Sequence, residues 1–109
     1  MSLTDAEAKK FWPVYDAYQR ELAPIQARGN RAMIDYINAP ESAMTNANAR
    51  RLIDALAAAD ESEAKVRRAY VAKFSKAIGA KKAARYYQVE SKIRAMERYD
   101  QAAAIPLVR

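Results

Sequence analysis

From Phe11 to Tyr36 the chain sets apolar or small residues in alternating steps of four and three: Phe11, Tyr15, Tyr18, Leu22, Ile25, Gly29, Ala32 and Tyr36. A mean step of about 3.5 residues puts all of them on one side of an α-helix, the seam of a helix packed lengthwise on another. A strand would have scattered them over two faces, because its side chains alternate. Composition points the same way. About a quarter of the 109 residues are alanine, a strong helix former that adds little core volume. Two glycines and four prolines leave few turn formers, and β-branched residues are sparse, so strands are not expected. The length is that of a single domain, 1–109.

Punctuation divides this domain into helices. Thr4 and Glu7 have the spacing of a capping box, in which the hydroxyl accepts from a free amide and the carboxylate reaches back. Pro13 and Pro24 lie inside the seam, and each would cost about 3 kcal/mol in a regular helix interior. A short helix over 5–12 is therefore predicted, then a longer one over 13–37 curved near Pro24 and Gly29. Asn38 to Ser42 reads as a turn, after which Thr45 caps a helix over 46–78, with Asn48 at the reciprocal position. Its buried stripe is Leu52, Leu56, Ala59, Val66, Tyr70, Phe74 and Ile78, interrupted by the polar run Asp60 to Glu63. Gly79 stands where a helix end needs positive φ. A last helix over 80–103 carries Tyr86, Val89, Ile93 and Met96, and Pro106 ends it, so that the apolar tail Ile105 to Val108 should fold back on a neighbouring surface.

The fold class expected is thus all-α: an elongated antiparallel hairpin or bundle of three long helices with a short N-terminal helix. The helix over 46–78 would be roughly 50 Å long at about 1.5 Å per residue. A slender, alanine-rich bundle buries little apolar area per residue, which makes a homodimer the expected remedy.

Chemistry is constrained by what is missing. The chain has no His and no Cys, which removes the commonest general base, the best thiol nucleophile and any imidazole or thiolate metal ligand. No enzyme activity, metal or cofactor is expected. Asp60, Glu61 and Glu63 are too unevenly spaced to share one helical face, and read as a solvated acidic patch. No stretch approaches the roughly 20 apolar residues of a membrane span.

Charge is uneven. Twelve of the nineteen Lys and Arg lie from Lys65 onward, with only three of the thirteen acids. Such a field attracts acidic partners and weakens with salt. Arg67, Arg68, Lys81, Lys82 and Arg85, with the seam-adjacent aromatics Trp12 and Tyr87, are the candidate contacts for a protein partner. Nucleic acid is a weaker alternative, since Tyr86 and Tyr87 beside basic residues could stack on single-stranded bases but no helix-turn-helix, zinc or basic-zipper spacing is present. A membrane surface is weaker still, because bundle packing accounts for the apolar face of the last helix.

Two helix starts, Leu3-Thr4-Asp5-Ala6-Glu7-Ala8 and Met44-Thr45-Asn46-Ala47-Asn48-Ala49, resemble the repeated L-T-x-x-Q motif of the Spy/CpxP group of bacterial periplasmic proteins. Glu7 and Asn48 replace the motif's Gln, and Met44 replaces the second Leu. Segment 80–87, Ala-Lys-Lys-Ala-Ala-Arg-Tyr-Tyr, is similar to the start of the last helix in related bacterial proteins. The resemblance implies a helical, cradle-shaped antiparallel dimer in the periplasm: a non-enzymatic chaperone-like protein or envelope-stress adaptor for unfolded or acidic clients. The alternative is a structural or scaffold protein with one specific protein partner.

Overall fold

A computed structural model describes residues 2–108. Three α-helices make up the fold, α1 (Asp5–Asn38), α2 (Asn46–Ile78) and α3 (Ala80–Ala104), with a single 3-10 turn, Glu41–Ala43, between the first two. No strand occurs among the described residues, so the chain is all-α.

The caps are those the sequence predicts, with one difference. Thr4 Oγ1 accepts from the Glu7 amide at 3.1 Å, and Glu7 Oε1 accepts from the Thr4 amide at 2.9 Å, closing the capping box. At α2 only half of that motif forms. Thr45 Oγ1 accepts from the Asn48 amide at 3.2 Å, while the shorter Asn48 side chain donates to the Ala43 carbonyl at 2.7 Å and ties α2 to the preceding turn. Gly79 joins α2 to α3 at φ 84° and ψ 153°, a region that residues with a Cβ essentially never occupy. An added Cβ would meet nothing within 4 Å, so the cost of Gly79→Ala is backbone strain alone. That substitution lowers stability by about 1–3 kcal/mol, measurable as a lower urea midpoint with unchanged slope.

The predicted break at Pro13 does not occur. One helix runs from Asp5 to Asn38 through both Pro13 and Pro24, so separate helices over 5–12 and 13–37 are corrected to α1. Both prolines are exposed, as are Lys9 and Arg20 four residues earlier, so water can serve the carbonyls that lose a partner. Phe11, Tyr18, Leu22 and Ile25 are buried around them, each worth about 1.5–3 kcal/mol, which together outweigh the proline cost.

The α1 seam packs on α2 along its length, and α2 packs on α3. The first two helices pass closely at Gly29 and Ala59, where a Cβ added to Gly29 would stand 3.5 Å from the Ala59 Cβ, an ordinary contact that does not require a glycine. The molecule measures 57 × 21 × 17 Å. Its core, Phe11, Tyr18, Leu22, Tyr70, Phe74, Ile78 and Ala83, lies where the start of α1, the end of α2 and the start of α3 meet. Toward the other end no described residue of 31–60 or 95–104 is fully buried, and Ile34, Ile37 and Ile53 are more than half exposed.

Two expectations about α3 change. Val89, Ile93 and Met96, read as packing residues, stand 46%, 52% and 69% exposed. The helix is rotated so that Ala83, Tyr86, Glu90 and Arg94 face the bundle instead, where Glu90 and Arg94 find partners of opposite charge. The tail folds back only in part: Tyr36 donates to the Pro106 carbonyl at 2.7 Å and Ile105 is half-buried, but Leu107 is exposed.

Candidate functional site

Glu90 is the electrostatic centre of the molecule. Tyr18 of α1 and Tyr86 of α3 each donate a phenol hydrogen to its carboxylate, at 2.5 and 2.6 Å. Arg67 of α2 and Arg94 of α3 bring their Nε atoms to 3.2 Å from Oε1. One carboxylate therefore ties all three helices together. The Arg67 Nε–H is not aimed along a hydrogen bond, and Arg67 makes its directed bond from Nη2 to Ser91 Oγ at 2.8 Å. Farther along, Arg94 Nη1 reaches Glu63 at 2.7 Å, and Arg98 lies 3.3 Å from Asp60 and 3.4 Å from Glu63. The acidic run read as a solvated patch is thus corrected for Glu63, which is largely buried against Arg94, while Asp60 stays exposed and meets Arg98 at the surface. Glu61 stays exposed. The reason is spacing: Asp60 and Glu63, three apart, meet Arg98 and Arg94, four apart, across neighbouring helices.

These contacts shift the groups they join. Burial, then the bond to Glu90 and its charge, raises the phenols of Tyr18 and Tyr86. Tyr70 is raised to about 12 by its hydrogen bond to Glu21, with burial adding to it. Burial opposes the charge on Arg94, but Glu63 and Glu90 more than compensate, and its pKa rises. All of these side chains therefore act as donors throughout the neutral range.

Beside this network, residues of α2 and α3 line an open groove of about 820 Å³. Ala64, Val71, Phe74, Ala80, Ala83 and Ala84 give it an apolar lining, and Arg67, Arg68 and Tyr87 stand along it. The alanines of α3 are what make it a groove, since larger side chains there would fill the space. The Arg67 guanidinium covers the Tyr87 ring at 4.6 Å from its centroid, a cation–π contact that fixes the orientation of both.

The candidate contact residues separate into three sets. Arg67, Arg68 and Tyr87 come together at the groove. Trp12 is 53% exposed on α1, edge-on to Phe11 and Tyr15, and away from the groove lining. Lys81 and Arg85 are exposed on α3 outside it. Two of the predicted contacts are engaged within the chain: Arg67 with Glu90, its side chain only 18% exposed, and Lys82 with Glu7 at 2.6 Å. Both therefore serve as ties within the chain. Arg68, Lys76, Lys81, Arg85 and Lys92 have no carboxylate within 4.0 Å among the described residues, and they carry the outward field.

Lys82 also anchors the start of α1. Its ammonium and the Thr4 amide and hydroxyl hold the Glu7 carboxyl down to about 2. A depressed carboxylate stabilises the fold above its ordinary pKa and loses that contribution as pH falls toward the lowered value. Carboxyl NMR titration should place Glu7 near pH 2 in the native chain and well above that in Lys82→Met.

No helix of the described residues is long and apolar enough to cross a membrane. No family model, curated protein or solved structure matches the chain.

Proposed function

We propose that this chain is a non-enzymatic, chaperone-like protein-binding protein, an elongated antiparallel helical hairpin that works as a homodimer and takes apolar, acidic segments of other proteins along α2 and α3. The observation that supports this reading is the groove of about 820 Å³ with an apolar floor, bordered by the exposed Arg68 and by Tyr87. An exposed apolar surface next to unbalanced charge is a contact surface rather than a solvated face. The guanidinium of Arg68 and the neighbouring lysines draw acidic chains by long-range attraction, while the alanine floor sets no demanding shape, so binding is loose and tolerant. A periplasmic location and a part in envelope stress go with this reading through the resemblance of Leu3 to Ala8 and Met44 to Ala49.

Light scattering of an aggregating model protein, with near-stoichiometric amounts of this chain, tests it. Suppression at low salt that fades at physiological salt is the expected result. Val71→Glu, at a groove residue 44% exposed, should abolish suppression without unfolding the chain. No suppression at either salt concentration would overturn the reading in favour of a scaffold with one dedicated partner.

A further inference from the structure

α3 leaves one side uncovered. Ala83, Tyr86, Glu90 and Arg94 hold its inner side to the bundle, while Arg85, Val89, Met96 and Asp100 follow one another along a flank of the helix about 115° around from that side, given about 100° of turn per residue. Val89, Ile93 and Met96 are 46%, 52% and 69% exposed there. Neither Arg85 nor Asp100 has an ion partner among the described residues.

We infer that this face is the contact between two copies of the chain, the α3 helices lying antiparallel about a two-fold axis that passes between Lys92 and Ile93. The inference rests on the homodimer proposed above and names its interface. A two-fold contact must complement itself, each residue before the axis meeting one equally far beyond it. About this axis Val89 comes level with Met96 of the second copy, and Arg85 with Asp100 of the second copy. Apolar meets apolar and cation meets anion, each twice, and at the centre Ile93 comes level with Lys92 of the second copy, whose aliphatic stem can cover it while the ammonium stays in water. Moving the axis by half a residue toward the N-terminus sets Arg85 opposite Tyr99, and moving it as far the other way sets Arg85 opposite Gln101 and Val89 opposite Glu97. Both moves lose the ion pairs.

A cleft of about 310 Å³ between α1 and α3, bordered by Tyr15, Gln19, Val89 and Ile93, lies beside the row. Met96 of the second copy fits this position, because an unbranched thioether adapts to irregular space. Arg85 to Asp100 spans roughly 22 Å at about 1.5 Å per residue, a short contact, so the dimer is weak and salt-sensitive rather than obligate.

Sedimentation velocity over a wide concentration range tests the interface, with circular dichroism to establish that each variant is folded. Arg85→Asp and Asp100→Arg each weaken self-association about tenfold or more, and the double exchange restores it to within about threefold. Because the chain has no cysteine, Ile93→Cys supplies a sole thiol beside the axis and yields a covalent dimer on mild oxidation. A dimer indifferent to both charge reversals, with Ile93→Cys left uncrosslinked, overturns the α3 interface and leaves the homodimer standing. A monomer at every concentration overturns both.

Discussion

Glu90→Ala lowers the stability of the chain by about 3–5 kcal/mol, the cost of removing one partner from a largely buried ionic network. The side chain is 12% exposed, and its loss leaves Arg67 and Arg94 facing each other with two phenol hydrogens undirected. For a domain of this size that is a fall in melting temperature of roughly 15 °C or more. Glu90→Gln, which keeps an acceptor oxygen but no charge, should cost about half as much. Alkaline titration separates the two contributions. Tyr18 and Tyr86 are raised by burial, then by the bond to Glu90 and its charge. Phenols whose folded pKa lies above the ordinary value of about 10 stabilise the fold fully below that pH, and the contribution is lost as pH rises through the raised values. In Glu90→Gln the tyrosinate absorbance of these two should appear at lower pH, while Tyr70, held by Glu21, still titrates near 12.

The same network shows where sequence reading of this chain succeeds and where it stops. Helix starts at Thr4 and Thr45 and the turn at Gly79 were legible because they are local: a cap or a positive φ needs only its neighbours. The α1 seam was legible because apolar residues that recur at helical spacing have one way to be buried together. Pro13 and Pro24 misled, since their cost is local and the burial that outweighs it comes from α2. α3 misled for a different reason. Its apolar row at Val89, Ile93 and Met96 competes with a second row, Tyr86, Glu90 and Arg94, and apolar spacing favours the first. The inward row is chosen by Asp60, Glu63 and Arg67 on another helix. A signal was present, because acids three apart and arginines four apart match across a helix pair, but it becomes visible only once the pairing of α2 with α3 is known. The groove was illegible for the same reason. Arg67, Arg68 and Tyr87 were readable as candidates, yet Ala80, Ala83 and Ala84 define the space between them by what they lack.

Phe74→Ala is the second large loss, about 3–5 kcal/mol. The ring is 4% exposed and touches four others, with centroids 4.6 Å from Tyr86, 5.5 Å from Phe11, 5.6 Å from Tyr18 and 6.2 Å from Tyr70. Deleting it removes the piece common to all three helices and leaves a void that Tyr18 and Tyr86 cannot enter without breaking their bonds to Glu90. Phe74→Leu, closer in volume, should cost well under half of this. Ile93→Ala, at a 52% exposed position, should leave monomer stability almost unchanged. Hydrogen exchange would show the consequence along the chain. Amides around Phe11 to Ile25 and Tyr70 to Ile78, where the buried residues lie, should exchange most slowly, and those over 46–60, where no described residue is buried, much faster. In Phe74→Ala the slow class should collapse toward the fast one, because the thin end has no core of its own and depends on the aromatic cluster. The groove beside Phe74 then stands on the well-packed end of the molecule, while the face of α3 proposed for a second copy starts there at Arg85 and runs into the thin end at Met96 and Asp100.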